Sequence, residues 1–236
     1  MAARLHVGTS GFAYREWRSG FYPEKLPRRD MLPFYASVFG SVEINYSFRR
    51  FPDESVLASW RSVAPEGFRF TLKAPARITH VRRLADAQEE VDEFIRRARL
   101  LGRRLGAILF QLPPTFRADL ERLDSFLAGL PPAAHYAMEF RHDSWGDPAI
   151  DELLAAHGVA RCGVDADAAA LGEVPVTAGH VYLRLRRDDY SAAEIAAWAV
   201  RIEAVLERGK EVYCYLKHDL GSEAPARAQA LQAAIG

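Results

Sequence analysis

The sequence predicts an α/β protein, a single (β/α)8 barrel of the TIM type with short connections, some irregularity and a long aromatic first loop. Seven apolar runs each end in a charged or amide side chain, and helical patterns separate most successive runs. Because side chains alternate faces along a strand, each run buries one face and turns its polar groups to the other. The fold that gathers the C-terminal ends of such strands around one mouth is the β/α barrel. We therefore expect one shared polar site at that mouth.

Eight strands and seven helices account for most of the chain. The strand candidates lie near residues 4–9, 41–46, 68–73, 106–112, 135–141, 159–165, 180–186 and 211–217. The helical patterns lie near residues 29–39, 53–63, 86–103, 117–129, 147–157, 191–208 and 222–235. The sixth helix has a distinct start, because Ser191 followed three residues later by Glu194 is a capping-box signature.

The first connection is unusually long. Residues 10–28 carry the turn formers Gly11, Gly20, Pro23 and Pro27 and the aromatic residues Phe12, Tyr14, Trp17, Phe21 and Tyr22. Since this loop follows the first strand at the mouth, we assign Tyr14 and Trp17 to the ligand site. The alternative for Trp17 is a lid or packing residue.

Size and composition predict one domain over residues 1–236. The chain has 236 residues, of which 49% are hydrophobic, and its 31 basic and 31 acidic side chains cancel. No global field therefore draws it to nucleic acid or membrane. No apolar stretch approaches transmembrane length and the start of the chain does not resemble a signal peptide, so we expect a cytoplasmic protein. Cys162 and Cys214 lie in strands that are not barrel neighbours, which predicts buried free thiols.

The polar groups of the strand ends form the candidate site. On one strand parity we find Ser10, Glu43, Asn45, Lys73, Gln111, Glu139, Arg141, Asp165, Arg184, Arg186 and Lys217. Three carboxylates and five cations would then meet at the mouth, either as a functional site or as a self-neutralising structural network. Burying ions costs several kcal/mol each, roughly, so we favour the functional interpretation.

Lysine usage adds a weaker signal. The chain has only four lysines, Lys25, Lys73, Lys210 and Lys217, and two of them end strands at the mouth. Lysine supplies a compact amine whose pKa can be tuned for acid/base or Schiff-base chemistry. The structural alternative is a lysine paired with Glu139 or Asp165.

Arginines after the seventh strand indicate an anionic ligand. Arg184, Arg186 and Arg187 lie where many barrels bind phosphate, and Gly221 and Ser222 open the last helix nearby. We expect Arg184 to contact the ligand. For Arg187, a solvated pair with Asp188 or Asp189 is an equal alternative.

Several motifs in order resemble the DUF72 family, also called YecE-like proteins. They are Gly8-Thr9-Ser10-Gly11-Phe12 through Phe21-Tyr22-Pro23, Val42-Glu43-Ile44-Asn45, Phe68 to Ala74, Ile78-Thr79-His80, Phe110 to Pro114 and Glu139 to Trp145. The resemblance spans nearly the whole chain and implies a TIM-barrel fold without an agreed reaction. The chain departs from the family pattern at Arg186-Arg187, where a His-Gly pair is usual, and at Lys217-His218-Asp219, where an Asn-Asn-Asp run is common.

The sequence thus favours a barrel that binds, and through acid/base chemistry transforms, a small phosphorylated or carboxylated ligand. Glu139 would be the general acid or base, Lys73 its cationic partner or electrophile, and Glu43 and Asp165 secondary carboxylates. The ligand contacts would come from Ser10, Tyr14, Trp17, Asn45, His80, Gln111, Arg141, Arg184, Arg186, Lys217 and Asp219.

Three alternatives remain open. The first is a nucleic-acid-binding or endonuclease-IV-like protein that uses the aromatic loop and the basic residues Arg77, His80, Arg82, Arg83, Arg96, Arg97, Arg99, Arg103 and Arg104. The second, less favoured, is a magnesium or manganese site built from Glu43, Glu139, Asp165 and His218. The third is a noncatalytic interaction scaffold. No cofactor and no oligomeric state follow from the sequence.

Overall fold

The computed structural model describes residues 4–132, 134–167, 170–217 and 221–235. The eight strands are β1 (Leu5–Thr9), β2 (Ser41–Ile44), β3 (Arg69–Lys73), β4 (Leu105–Gln111), β5 (His135–Glu139), β6 (Ala160–Asp165), β7 (His180–Leu185) and β8 (Glu211–Leu216). The seven α-helices are α1 (Met31–Val38), α2 (Glu54–Val63), α3 (Gln88–Ala98), α4 (Leu120–Ala128), α5 (Pro148–Ala156), α6 (Ala192–Glu207) and α7 (Glu223–Ala234). Each overlaps its predicted segment.

All strands are parallel and form one sheet in the order β1-β8-β7-β6-β5-β4-β3-β2. The barrel nearly closes between β1 and β2, where Ser10 pairs with Glu43 in a single bridge and the Gly11 amide donates to the Glu43 carbonyl at 2.8 Å. The predicted (β/α)8 fold is confirmed. Between β6 and β7 the described residues contain no helix, which is the irregularity of this barrel.

Gly8 allows the two end strands to approach. A Cβ at this position would lie 2.0 Å from the Ser41 carbonyl oxygen, far inside van der Waals contact. A strand residue without a side chain is therefore required where the barrel closes.

Apolar residues pack in two layers, because successive side chains of a strand point to opposite faces of the sheet. One set lies between the barrel and the helices and includes Val42, Phe110 and Leu183. The other fills the barrel interior and consists of Ala107, Leu109, Ala137, Ala160, Cys162, Ala178, Tyr182, Tyr213 and Tyr215. Polar side chains lie above this inner plug at the C-terminal ends of the strands, so the plug forms the floor of the mouth.

The capping box of α6 is present. The Ser191 hydroxyl accepts from the Glu194 amide, and the Glu194 carboxylate accepts from the Ser191 amide. These bonds satisfy amide groups that the first turn of a helix leaves without partners. They place the start of α6 beside the end of β7.

The long first loop packs against α1. Trp17 is fully buried, with its ring 4.8 Å from that of Tyr14 and 5.9 Å from that of Phe21, and Phe21 contacts Phe34 of α1 edge to face at 5.5 Å. The assignment of Trp17 to the ligand site is therefore corrected. Its side chain is a packing residue, since it is fully buried and contacts the rings of Tyr14, Phe21 and Tyr22.

Both cysteines are buried and free, as predicted. The two lie on opposite faces of the barrel wall, since Cys214 belongs to the outer layer. Cys162 pairs in register with Tyr182, and both belong to the inner plug. Burial raises the pKa of the Cys162 thiol well above its ordinary value, so the group is a poor nucleophile.

Candidate functional site at the mouth of the barrel

Arg184 of β7 is the centre of the polar site. Its Nη2 donates to Glu43 Oε1 at 2.8 Å, and its Nη1 donates to Glu139 Oε2 at 2.6 Å and to Gln111 Oε1 at 3.2 Å. Arg184 is 2% exposed, and the two glutamates are at most 1% exposed. One guanidinium therefore pairs with two buried carboxylates from other strands, as a buried charge requires a partner of opposite sign.

Glu43 has further donors around it. Its Oε1 accepts from Ser10 Oγ at 2.8 Å and from Asn45 Nδ2 at 3.1 Å, and its Oε2 accepts from the Tyr182 hydroxyl at 2.7 Å. Burial alone would raise the pKa of Glu43, but Arg184 and these hydrogen bonds outweigh it and hold the pKa below its ordinary value. Glu43 is thus ionised at neutral pH.

Glu139 is held in the same way from the other side. Arg141 Nε donates to Glu139 Oε1 at 2.8 Å, and Arg141 Nη2 donates to Gln111 Oε1 at 3.0 Å. Burial raises the pKa of Glu139, whereas Arg184 and Arg141 lower it more strongly, so the net pKa is about 2. A carboxylate of that acidity is a weak base at neutral pH. These surroundings favour a role in orienting Arg141 and Arg184 over the predicted acid/base role.

Lys73 ends β3 and forms no ion pair with any carboxylate that the structure describes. Its Nζ lies 3.9 Å from the centre of the Phe48 ring, and the side chain is 9% exposed. Across the described chain, no carboxylate oxygen lies within 4.0 Å of this ammonium group. Burial, followed by repulsion from Arg184, lowers the pKa of Lys73 to about 8 in spite of Glu139 and Glu43.

Arg186 is a second cation that forms no ion pair with a described residue. Its side chain is half-buried at the end of β7, and no ion pair joins it to any described carboxylate. Burial and the charge of Arg184 lower its pKa, while Glu43 and Glu139 act in the opposite direction. Burial and the neighbouring arginines therefore outweigh the two glutamates at this position.

The charges of the mouth do not cancel. Among the described residues, four cations, Lys73, Arg141, Arg184 and Arg186, meet two carboxylates, Glu43 and Glu139, so the described part of the mouth has two positive charges in excess. The sequence predicted three carboxylates and five cations. The difference comes from Asp165 and Lys217, which both find partners elsewhere.

Asp165 does not point into the barrel, which corrects its predicted place. Its register partner on β7 is Leu185, a residue of the outer layer, whereas Val164 pairs with the inward Arg184. Asp165 Oδ2 accepts from Arg187 Nε at 2.8 Å and from Trp198 Nε1 at 3.3 Å, under α6. The parity was misjudged because the run Cys162-Gly163-Val164 shows no alternation of polar and apolar residues.

Lys217 and Arg187 are held by acidic partners. Lys217 Nζ pairs with Asp188. Arg187 pairs with Asp165 and, through Nη1, with Glu194 at 2.6 Å, and not with the predicted Asp188 or Asp189. Neither side chain therefore adds to the excess charge of the mouth.

Tyr14 and His80 lie at the rim. The Tyr14 hydroxyl donates to the Ser10 carbonyl at 2.8 Å, and burial together with the charge of Glu43 raises its pKa to about 12. His80 Nδ1 lies 2.9 Å from Thr79 Oγ1, and its ring meets Phe48 edge to face at 4.9 Å. Burial, and then the charge of Lys73, lowers the pKa of His80, so the imidazole is neutral at pH 7.

The predicted residues His218 and Asp219 lie outside the described residues. The candidate metal group loses Asp165, which faces α6, and its two glutamates are occupied by Arg184. Among the residues described, no three histidine, cysteine, aspartate or glutamate side chains are arranged to hold a metal ion. In the described residues both Glu43 and Glu139 pair with Arg184, and the metal site stays a prediction.

Four of the eight arginines on which the nucleic-acid alternative depended have carboxylate partners. Arg96 and Arg97 both pair with Glu93, and Arg77 and Arg82 both pair with Glu90. The burial of Trp17 also removes the largest predicted base-stacking ring. Nucleic-acid binding stays an untested prediction that has lost these two supports.

Two site residues were missed by the sequence reasoning. Tyr182 is the donor to Glu43 Oε2, and it could have been found because it lies two residues before Arg184 on the same strand face. The second is Phe48, whose ring contacts Lys73 Nζ. Phe48 lies in a short 3-10 turn, Tyr46–Phe48, and a turn of this length has no periodic sequence pattern from which it could be predicted.

Comparison with known proteins supports the predicted resemblance. A sequence profile described as "Protein of unknown function DUF72" matches residues 6–236. "UPF0759 protein YecE" from Escherichia coli (strain K12) is 33% identical over 163 residues, covering 68% of this chain and 57% of YecE. "UPF0759 protein YunF" from Bacillus subtilis (strain 168) is 28% identical over 160 residues, covering 63% of this chain and 54% of YunF. The matches thus span little more than half of these relatives' length.

Two solved structures resemble the barrel over nearly its whole length. A DUF72 family protein from Thermotoga maritima MSB8 has a TM-score of 0.87 and 27% identity, with 98% of each chain covered. A DUF72 family protein from Enterococcus faecalis V583 has a TM-score of 0.80 and 20% identity, with 98% of this chain and 95% of the other covered. The second likeness concerns the fold alone.

None of the described helices combines the length and the apolar character needed to cross a membrane. The cytoplasmic location stays a prediction from the sequence.

Proposed function

The chain belongs to the DUF72 family, whose function is unknown, and we propose that it binds a small anionic ligand, a phosphate ester or a carboxylate, at the C-terminal mouth of its barrel. The observation that carries this proposal is the pair Lys73 and Arg186. Both are cations at the mouth, and neither has a described carboxylate within ion-pair distance.

The neighbouring network explains why these charges stay uncompensated. Glu43 and Glu139 already accept from Arg184, and Glu139 accepts from Arg141 as well. Each glutamate is thus already engaged with a described arginine. An incoming anion would supply the missing negative charge, and low exposure of the site would strengthen the attraction relative to bulk water.

The shape of the donors favours a phosphate or carboxylate over a monatomic ion. Arg186 offers a planar guanidinium fork, Lys73 a single ammonium group, and Arg141 keeps 38% of its side chain exposed beside Glu139. Guanidinium groups bind two oxygens of one oxyanion at once. We therefore place the anion between Arg186, Arg141 and Lys73, above Arg184.

Calorimetric titration of the purified protein tests this proposal. Inorganic phosphate, ribose 5-phosphate and acetate serve as ligands, and a short single-stranded oligonucleotide as the rival. We expect Arg186→Met to weaken phosphate binding by roughly tenfold to a hundredfold, the value of one charge-assisted hydrogen bond. The control is Arg208→Met, because Arg208 is exposed at the C-terminal end of α6, away from the mouth.

Two results would overturn the proposal. One is that none of the small anions gives a measurable heat of binding at millimolar concentration. The other is oligonucleotide binding that falls steeply with salt and is the same in Arg186→Met, which would support the nucleic-acid alternative.

A further inference from the structure

Lys73 differs from the other three lysines in its surroundings. Its side chain is 9% exposed, whereas Lys25 is exposed, Lys210 is half-buried and Lys217 is paired with Asp188. Its ammonium group lies over the Phe48 ring, a cation–π contact that favours the charged form, and no described carboxylate oxygen lies within 4.0 Å of it. Of the four lysines, Lys73 is the most buried, and burial disfavours the charged form.

The backbone holds this amine in place. The Ser47 hydroxyl lies 2.7 Å from the Lys73 carbonyl and 2.9 Å from the Ile44 carbonyl, so it ties the turn after β2 to the end of β3. The next residue of that turn is Phe48, whose ring contacts both Lys73 Nζ and the His80 ring. The turn that carries Phe48 is thus fixed to the ends of β2 and β3, and its contact with Nζ limits the positions that the Lys73 amine can take.

We propose that Lys73 is a nucleophilic amine that forms an imine with an aldehyde or ketone carried by the anionic ligand. This rests on the proposed function, because the anion held by Arg186 and Arg141 would bring the carbonyl group to Nζ. Desolvation and nearby cations are the two conditions that activate a lysine for this chemistry, and Lys73 has both.

The step balances without a further reactant. The neutral amine of Lys73 attacks the carbonyl carbon, a C–N bond forms, and the carbonyl oxygen takes a proton to give a carbinolamine. The nitrogen gives up one proton to restore its lone pair, the oxygen takes a second proton and leaves as water, and the resulting iminium nitrogen loses its remaining proton to solvent to leave a neutral C=N bond. One carbonyl and one primary amine thus give one imine and one water.

Two matched probes separate this inference from anion binding. Pyridoxal 5′-phosphate is an aldehyde with a phosphate group, and pyridoxal is the same aldehyde without it. Each is incubated with the wild-type protein at pH 7.5, reduced with borohydride and mapped by mass spectrometry, which distinguishes the four lysines. At that pH an amine with a pKa near 8 has a free fraction on the order of a hundred times that of an ordinary lysine.

We expect pyridoxal 5′-phosphate to label Lys73 at least about tenfold faster than Lys25, and labelling to rise with pH to a plateau above about pH 8. Arg186→Met should slow labelling by the phosphorylated probe, whereas Lys25→Met should not affect Lys73. Inorganic phosphate should compete with the phosphorylated probe alone.

The failures are distinguishable. Equal labelling of all four lysines, while phosphate still binds, overturns the imine proposal and leaves the anion site intact. Fast labelling of Lys73 by both probes at the same rate, without competition by phosphate, keeps the reactive amine and overturns the anion site. Because labelling is measured on the wild-type protein, neither result depends on whether a Lys73 variant folds.

Discussion

Arg184 of β7 reaches Glu43 of β2 across the barrel, with Nη2 2.8 Å from Oε1, although the two strands are not neighbours in the sheet. Nη1 of the same guanidinium lies 2.6 Å from Oε2 of Glu139 on β5. One buried cation therefore links three strands. The network lies at the floor of the mouth, and the cationic groups above it are available to bind a ligand.

We expect Arg184→Met to destabilise the protein by about 3–5 kcal/mol, because it leaves two buried carboxylates without their shared counter-ion. Urea unfolding followed by circular dichroism measures this change. Adding Glu43→Gln to Arg184→Met should restore part of the loss, since one of the two uncompensated charges disappears. An Arg184→Met protein as stable as the wild type would contradict this account of the network.

Arg186 provides the matched control two residues away on the same strand face. Its charge is disfavoured in the folded protein, as its lowered pKa indicates. Arg186→Met should therefore leave the free energy of unfolding unchanged or raise it by up to about 1 kcal/mol. If the two arginine variants lose equal stability, the division into a structural Arg184 and a ligand-binding Arg186 is wrong.

Lys73 should make stability rise with pH in the alkaline range. Its folded pKa is about 8 against 10.5 ordinarily, so between these values the unfolded chain binds more protons than the folded one. Relative to Lys73→Met, the wild type should gain on the order of 1–2 kcal/mol from pH 7 to pH 9.5. Parallel stability curves for the two proteins over this range would show that the amine has an ordinary pKa.

His180 should make the protein sensitive to acid. Its ring stacks on His135 with centres 4.3 Å apart at the N-terminal end of the barrel, and burial, then His135, lowers its pKa to about 4. Between pH 6.5 and pH 4 the unfolded chain binds the extra proton, so stability is present above this window and is lost as the pH falls through it.

The expected loss from His180 is about 3 kcal/mol by pH 4. Stability measured in urea at several pH values, for the wild type and His180→Gln, isolates this contribution from those of His135 and Glu211, which face the same ring. The variant should show a shallower decline between pH 6.5 and pH 4, and an identical decline would assign the acid sensitivity to other groups.

Asp165→Asn should separate stability from binding. The substitution removes the ion pair with Arg187 under α6, which we expect to cost roughly 2 kcal/mol. Because Asp165 faces away from the mouth, phosphate affinity should stay the same. Thermal melts measure the stability and calorimetric titration measures the phosphate affinity of the same preparation. A large fall in affinity would mean that Asp165 does belong to the ligand site.

Gly8→Ala should destabilise the barrel by about 3 kcal/mol or more, because the new Cβ would overlap the Ser41 carbonyl oxygen at its closing seam. Gly40→Ala is the control, since no atom lies within 4 Å of a Cβ at that position. Equal melting temperatures for the two variants would mean that β1 and β2 can separate without loss.

The strand and helix order was predictable from the sequence by itself, and so was the inward parity of Glu43, Lys73, Gln111, Glu139 and Arg184. Both depend on local periods of two and 3.6 residues, which a chain shows before it folds. The capping box before α6 was predictable for the same reason, since it involves residues three positions apart.

The tertiary structure alone decided which of these charges are neutralised. An ion pair requires atoms within about 4 Å, and the partners of Arg184 lie far from it along the chain, at positions 43 and 139. The tertiary structure also decided that Asp165 faces α6, which the sequence could not predict because the residues before Asp165 do not alternate between polar and apolar. It decided as well that Phe48 lies under Lys73, which the sequence could not predict because a 3-10 turn has no periodic pattern. A sequence locates the charges of a barrel mouth through their period, whereas only the folded geometry leaves Lys73 and Arg186 without carboxylate partners in the described chain.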